Sequence, residues 1–225
     1  MARPAYPAGM DRNIPEKTMA VDARLAVEEK RFSPSSARNS GPIADVLCPL
    51  LKRNAHVLEI GSGTGEHGEA VCLRRPDVHW TPSDPDETSR NSQAARAREI
   101  GAMQMPIDLD ASRPGWSDAF TEIDILVCCN VIHISPWDTA KGLARGAADI
   151  LHPEGRIFLY GPFLEGAASA PSNLDFNASL KARNPEWGVR PLEEVIALFA
   201  DHGFLLETRV DMPANNLSLI FSRSN

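Results

Sequence analysis

"HVLEIGSGTGEHG", residues 56–68, is the stretch that decides the fold. An apolar run interrupted only by Glu59 ends at Ile60, and glycines follow at alternate positions, Gly61, Gly63 and Gly65. Such a run, stopping at a glycine turn and restarting as a helix, is the strand–turn–helix unit of an α/β sheet. Lacking a Cβ, the glycines let the backbone approach something that side chains would block. The same alternation continues outward. Extended candidates lie at 56–60, 78–83, 102–107, 123–130 and 156–160, and helical candidates at 65–74, 87–100, 116–120 and 139–151. Near-continuous apolar strands separated by helices specify a doubly wound, mostly parallel sheet covered on both faces. A helix over 191–202, entered at Pro191 and stopped by Gly203, precedes "FLLETRVDM" and "NLSLIFSR". Only "PANN" separates those two runs, too little for a crossover helix, so they must pair antiparallel.

The chain has 225 residues, 43% of them hydrophobic, enough to bury a core without crosslinks. Residues 1–30 are expected to form an extension, Pro-rich at first and then helical over 16–30, and are the segment expected to carry a homodimer contact. Residues 31–225 form one domain, beginning with the polar, turn-rich "RFSPSSARNSGP" and a helix over 43–51. Within it, 161–190 is a polar insert of the kind that builds lids and substrate walls. No stretch approaches the roughly 20 apolar residues of a membrane helix, and the N-terminus lacks the apolar centre of a secretory signal. Cys48, Cys72, Cys128 and Cys129 show no CxxC pair. That pattern points to a reduced, cytoplasmic protein with no metal. A net charge of -7 gives no clustered Lys/Arg surface for nucleic acid.

The glycine turn fits two patterns. Gly63, Gly65 and Gly68 match the dinucleotide fingerprint GxGxxG. Gly61, Gly63 and Gly65, preceded by Glu59 and interleaved with Ser62 and Thr64, resemble the acidic-x-GxGxG turn of class I S-adenosylmethionine (SAM) methyltransferases. The strand ends at Ile60, so the second register starts where a fingerprint should. The C-terminal antiparallel pair also resembles the closing hairpin of that class. The fold expected is therefore a Rossmann-like, doubly wound seven-stranded α/β sheet. In this register the turn faces the methionine and ribose parts of SAM, and Glu59 compensates its cationic end. The shifted register leaves an NAD(P)-dependent oxidoreductase as an alternative, with no YxxxK to support it.

Further candidates fall at the carboxyl ends of successive strands, where ligands of open α/β sheets bind. Asp84 can accept both ribose hydroxyls, or else cap the helix that follows "SDPDE". Asp108 can accept from an adenine amino group while Leu109 packs on the ring, or the acids of "PIDLD" belong to a turn. "CCNVIHISPW" places Asn130, His133 and Trp137 where a methyl group would be presented. Histidine is the residue type whose unperturbed pKa suits a base near neutrality, so His133 can take a proton, or it holds a backbone carbonyl and fixes the loop. Tyr160 joins Asn130 and His133 as a catalytic candidate. Asn173, Phe176, Trp187 and Arg190 in the insert, with Trp137, are the substrate-wall candidates.

Together "RFSPSSARNSGPI", "VLEIGSGTGEH", "NVIHISPW", "LYGPF", "SNLDFNASL", "NPEWGVR" and "MPANN" resemble the family known as domain of unknown function 938, of the methyltransferase-like 26 type. The resemblance runs from about residue 31 to the C-terminus. It implies the class I fold, SAM as cofactor, and Arg38 and Asn39 in one cleft with the glycine turn, His133 and Trp137. The family tends to show an acid where this chain has Ala37. The function expected is methyl transfer from SAM to a small-molecule acceptor, without nucleic-acid or membrane partners. A non-catalytic SAM- or S-adenosylhomocysteine-binding scaffold is the alternative.

Overall fold

A computed structural model describes residues 25–27 and 30–224. Strand β1 (Leu25–Val27) pairs antiparallel with β2 (Lys30–Phe32). Helix α1 (Pro34–Leu47) follows, then β3 (His56–Ile60), α2 (Glu66–Arg74), β4 (His79–Ser83) and α3 (Glu87–Ala97). The second half holds β5 (Ile123–Cys129), α4 (Trp137–Ile150), β6 (Leu151–Leu164), α5 (Pro171–Arg183), the two-residue β7 (Arg190–Pro191), α6 (Leu192–Ala200), β8 (Phe204–Met212) and β9 (Asn216–Arg223). The main sheet runs β4-β3-β5-β6-β9-β8, with β7 beside the end of β6. Strands β4, β3, β5 and β6 are parallel; β9 is antiparallel to both β6 and β8.

Successive residues of the central strands go to opposite layers. Leu126 and Cys128 of β5, with Leu58 and Ile60 of β3, meet Leu143 and Ala147 of α4 and Val195 and Phe199 of α6. Ile125, Val127 and Cys129, with Val57, meet Ile43 and Leu47 of α1 and Val71 of α2. This is the arrangement expected of a doubly wound sheet, and it aims the carboxyl ends of β3 to β6 at one rim.

Three sequence expectations, at the sheet edge and in the N-terminal part, are corrected. The seventh strand, expected at 102–107, is reduced to two isolated bridges beside β4, Trp80 with Met103 and Ser83 with Ile107. Pro82 on one side and Pro106 on the other have no amide to donate, so the ladder cannot run unbroken. The helix expected over 16–30 is not formed at its end, because Leu25–Val27 is a strand; residues 16–24 lie outside the described ones. The extended partner is held by tertiary bonds that sequence periodicity does not carry: the Arg31 amide donates to Ser92 Oγ, and the Arg31 carbonyl accepts from Arg96. Last, "RFSPSSARNSGP" is mostly helix. Ser33 caps α1 by accepting from the Ser36 amide, and Pro34 sits in the first turn, where its missing N–H costs nothing. Pro42 lies within α1 and removes the helical donor to the carbonyl of Arg38.

The short helix expected at 116–120 is a run of turns. Trp116 lies across α4 instead, donating from its indole to the carbonyl of Gly142 at 3.0 Å. An added Cβ at Gly146 would stand 2.0 Å from that indole, so the small residues of α4 make room for it. Among the described residues, no helix is long and apolar enough to cross a membrane.

Candidate active site

The turn after β3 has Gly61, Gly63 and Gly65 at φ of +67°, +55° and +84°. All three angles lie in the left-handed region, which disfavours residues with a Cβ. Gly61 is also required by packing, since its Cβ would lie 2.5 Å from Val131 Cγ2 in the loop after β5. Gly63 differs: a Cβ there meets no heavy atom within 4 Å. Its bare backbone therefore faces open space at the rim, a cradle that a side chain would fill.

Hydrogen bonds fix this cradle from three sides. The Ser62 amide donates to the Ser83 carbonyl at 2.8 Å, and Ser62 Oγ accepts from the Ser83 amide at 3.0 Å, tying the turn to the end of β4. Asp84 Oδ2 accepts from the Gly63 amide at 2.9 Å. The cap of α3 is Asp86, which accepts from the Ser89 amide, and Asp84 Oδ1 accepts from the Asp86 amide at 2.9 Å, so the Asp84 carboxylate ties the cradle to the start of α3. Gln93 of α3 donates to the Gly63 carbonyl at 2.9 Å. Finally, Thr64 Oγ1 and the Ser33 amide both donate to Glu66 Oε2, at 2.8 and 2.7 Å. Glu66 thus joins the turn to the start of α1, the helix that carries exposed Arg38 and buried Asn39. Burial raises the Glu66 carboxyl above its ordinary value, and these two hydrogen bonds offset that only in part.

Not every sequence candidate reaches this rim. Glu59 is fully buried, accepting from Trp80 Nε1 at 3.2 Å and standing 3.7 Å from His67 Nδ1. It points into the layer beneath the turn. Leu109 is buried in the core shared with α4. Asp108 is exposed and pairs with Arg90 at 3.3 Å.

On the other side of the rim, Asn130 adopts φ +61° as β5 ends, and its amide donates to the Tyr160 carbonyl at 2.8 Å. A Cβ on Gly161 would come within 3.4 Å of the His133 ring and 3.5 Å of Asn130 Oδ1, so those two side chains share the floor at the end of β6. His133 is buried and meets Phe176 of α5 edge-on, with ring centroids 5.6 Å apart. Tyr160 points to the opposite layer, where its hydroxyl accepts from Asn216 at 2.9 Å. Burial pushes that hydroxyl far above its ordinary value, and the Asn216 bond and nearby Arg38 offset this only in part.

The insert residues mostly hold the insert itself. Asn173 donates to the carbonyls of Phe163 and Asn215, at 3.1 and 2.9 Å, pinning α5 to β6 and the final turn. Arg190 donates to the carbonyls of Ile132, Ser135 and Glu186 at 2.7–2.9 Å, and its guanidinium lies over Trp137 at 5.4 Å. It is the strut of the His133 loop, not a free cation waiting for substrate. Trp187 is half-buried with Arg183 above it. Replacing the planar fork by a point charge cannot serve three carbonyls. Arg190→Lys is therefore expected to speed amide hydrogen exchange at residues 131–135 by roughly tenfold at little cost in global stability; unchanged exchange would deny the strut.

Glu66, Asn216 and Asn177, whose Oδ1 accepts from the Val189 amide, were not singled out by sequence. Only the GTGE spacing of a carboxylate just inside the helix hints at the first.

Comparison with solved structures places the chain among methyltransferase folds. An O-methyltransferase family protein from Burkholderia thailandensis superposes with a TM-score of 0.70 at 17% identity, over 84% of this chain and 57% of that one. An O-methyltransferase family 2 protein from Planctomyces limnophilus, in complex with apigenin, gives 0.71 at 19%, over 84% and 58%. CalO1, a methyltransferase of calicheamicin biosynthesis in its SAH-bound form, gives 0.67 at 13%, over 84% and 55%. The chain thus spans little more than half the length of these structures, and at such identities the likeness is one of fold. The sequence itself matches one family over residues 30–223, from β2 to the end of β9. With the parallel sheet, its antiparallel closing pair and the glycine cradle in that span, the chain belongs to the family described as Protein of unknown function (DUF938).

Proposed function

We propose that this protein is a SAM-dependent methyltransferase acting on a small-molecule acceptor, with residues 31–225 as the catalytic domain and a methyltransferase-like 26 type of family membership. The observation that carries the reading is the open left-handed Gly63, bonded through its amide to Asp84 at the carboxyl rim of a methyltransferase-type sheet. A carboxylate at the end of β4 suits ribose hydroxyls, the backbone at Gly61–Gly65 admits a ligand without a Cβ in its way, and Arg38 on α1 suits a carboxylate. Bound there, SAM would supply an electrophilic methyl on a good leaving group. The chain's own residues would then align the acceptor and move its proton. His133 and Asn130, sharing the floor beside Gly161, are placed for that work, and Phe176 and Trp137 for walling the acceptor. Tyr160, tied to Asn216 on the other layer, is a positioning residue in this scheme.

The test is calorimetric titration of the full chain with SAM, S-adenosylhomocysteine, NADH and NADPH. Micromolar binding of the first two, with silence from the nicotinamides, is the expected result and justifies screening extracts for methyl acceptors. Nicotinamide binding alone would overturn the register. Tight SAM binding without any acceptor would favour a scaffold.

A further inference from the structure

Beneath the glycine turn, three side chains from three different elements converge in the interior: Glu59 at the end of β3, His67 in the first turn of α2 and Cys129 at the end of β5. One ligand atom from each lies within 4.8 Å of the other two, and all three residues are buried. Two of their polar atoms, Glu59 Oε1 and His67 Nε2, are sealed from solvent with no hydrogen-bond partner. A fully buried carboxylate served by one indole donor and a histidine 3.7 Å away is badly compensated. Charges in such a place are normally paired or bound to a metal.

We infer that Glu59, His67 and Cys129 form a binding site for a divalent transition-metal ion of the zinc type. The donor set is one oxygen, one nitrogen and one sulfur, the mixed set that Zn²⁺ and its neighbours accept. Bond lengths near 2.0–2.3 Å put the ligand atoms of a tetrahedral ion roughly 3.3–3.8 Å apart. The separation of Glu59 Oε1 from His67 Nδ1, 3.7 Å, already meets that figure, and any wider separation in the trio needs at most about 1 Å of side-chain closure. Charge also balances: carboxylate and thiolate carry two negatives and the imidazole is neutral. A metal takes cysteine as the thiolate. Uptake of the ion therefore breaks the S–H bond of Cys129 and releases that proton to solvent.

The consequence is mechanical. An ion here would bolt the ends of β3 and β5 to the start of α2, the three elements that hold the glycine cradle and the Asn130 loop. The sequence spacing, 8 residues and then 62, matches no short metal motif, because the ligands come from separate strand ends.

The experiment titrates the full-length chain, stripped with chelator, with Co²⁺ alone. One equivalent is expected to bind with a thiolate-to-cobalt charge-transfer band, and Zn²⁺ is expected to displace it. Cys129→Ser should remove the band and weaken Zn²⁺ at least 100-fold, and His67→Gln should weaken it similarly. Cys128→Ser is the control, since Cys128 belongs to the opposite layer of the sheet, and it should retain the band. Each variant's fold is checked by its far-ultraviolet spectrum and melting cooperativity without metal. Failure of the wild-type chain to take up cobalt, or a band that survives in the folded Cys129→Ser protein, overturns the site. Neither readout depends on SAM, so it stands or falls separately from the proposed activity.

Discussion

A Gly63→Arg variant is expected to fold and to lose SAM affinity by at least 100-fold. Two quantities decide it. No heavy atom lies within 4 Å of the added Cβ, so the native contacts survive. The backbone at φ +55° costs a residue with a Cβ about 1–2 kcal/mol, which a domain of this size tolerates. The arginine stem, however, occupies the space where the ligand would lie. Calorimetric titration beside a thermal melt separates the outcomes. Affinity within threefold of wild type would mean that SAM binds elsewhere. Gly63→Ala adds a discriminating point: its single methyl should weaken binding less while showing nearly the whole backbone cost.

The largest loss of stability is expected from Arg96→Ala, about 3 kcal/mol, at the lower end for removing one partner of a buried charge pair because Glu69 can rehydrate. Arg96 is wholly buried. Its guanidinium donates to Glu69 Oε2, to Ser92 Oγ and to the carbonyl of Arg31, each at 2.9 Å, and lies 5.0 Å from the Phe32 ring centroid. One side chain thus joins α2, α3 and β2. For a protein of this length, the melting temperature should fall by about 6–12 °C. Ser92 Oγ also donates to the Thr64 carbonyl, so the glycine turn loses a neighbour and SAM binding should weaken in parallel. Arg96→Met keeps the aliphatic stem and should recover part of the stability but none of the bonds. A loss below 1 kcal/mol in the alanine variant would show that water replaces the guanidinium freely.

The sheet was legible because its signals are local. Strands 204–212 and 216–223 are bounded in the structure where the apolar runs begin and end, and "PANN" forces their antiparallel pairing. The glycine register was legible for the same reason: Gly61 is the first residue past β3. What failed depends on partners remote in sequence. Ser33 and Pro34 begin a helix whose start is fastened by Glu66, 33 residues away. Residues 25–27 and 30–32 are extended in a short hairpin whose second strand is tied to Arg96 and Ser92. Residues 102–107 lose strand character to two prolines facing each other across the ladder. In the site, residue types at strand ends marked the rim well, but not which way a side chain turns. Glu59 turned inward with Trp80, and Arg190 spent its donors on carbonyls.

The antiparallel pair that closes the sheet also sets an order of events during synthesis. Strand β9 is the last of the described strands to be made, yet it lies inside the sheet, bonded to β6 on one side and β8 on the other. Until residues 216–223 emerge, β6 presents an unpaired edge rich in Ile157, Phe158 and Leu159, and β8 has no neighbour to join. A nascent or truncated chain ending near Met212 would therefore hold most of its helices but expose a sticky template for strands of other chains. That edge stays exposed until residues 216–223 are made and take their place between β6 and β8.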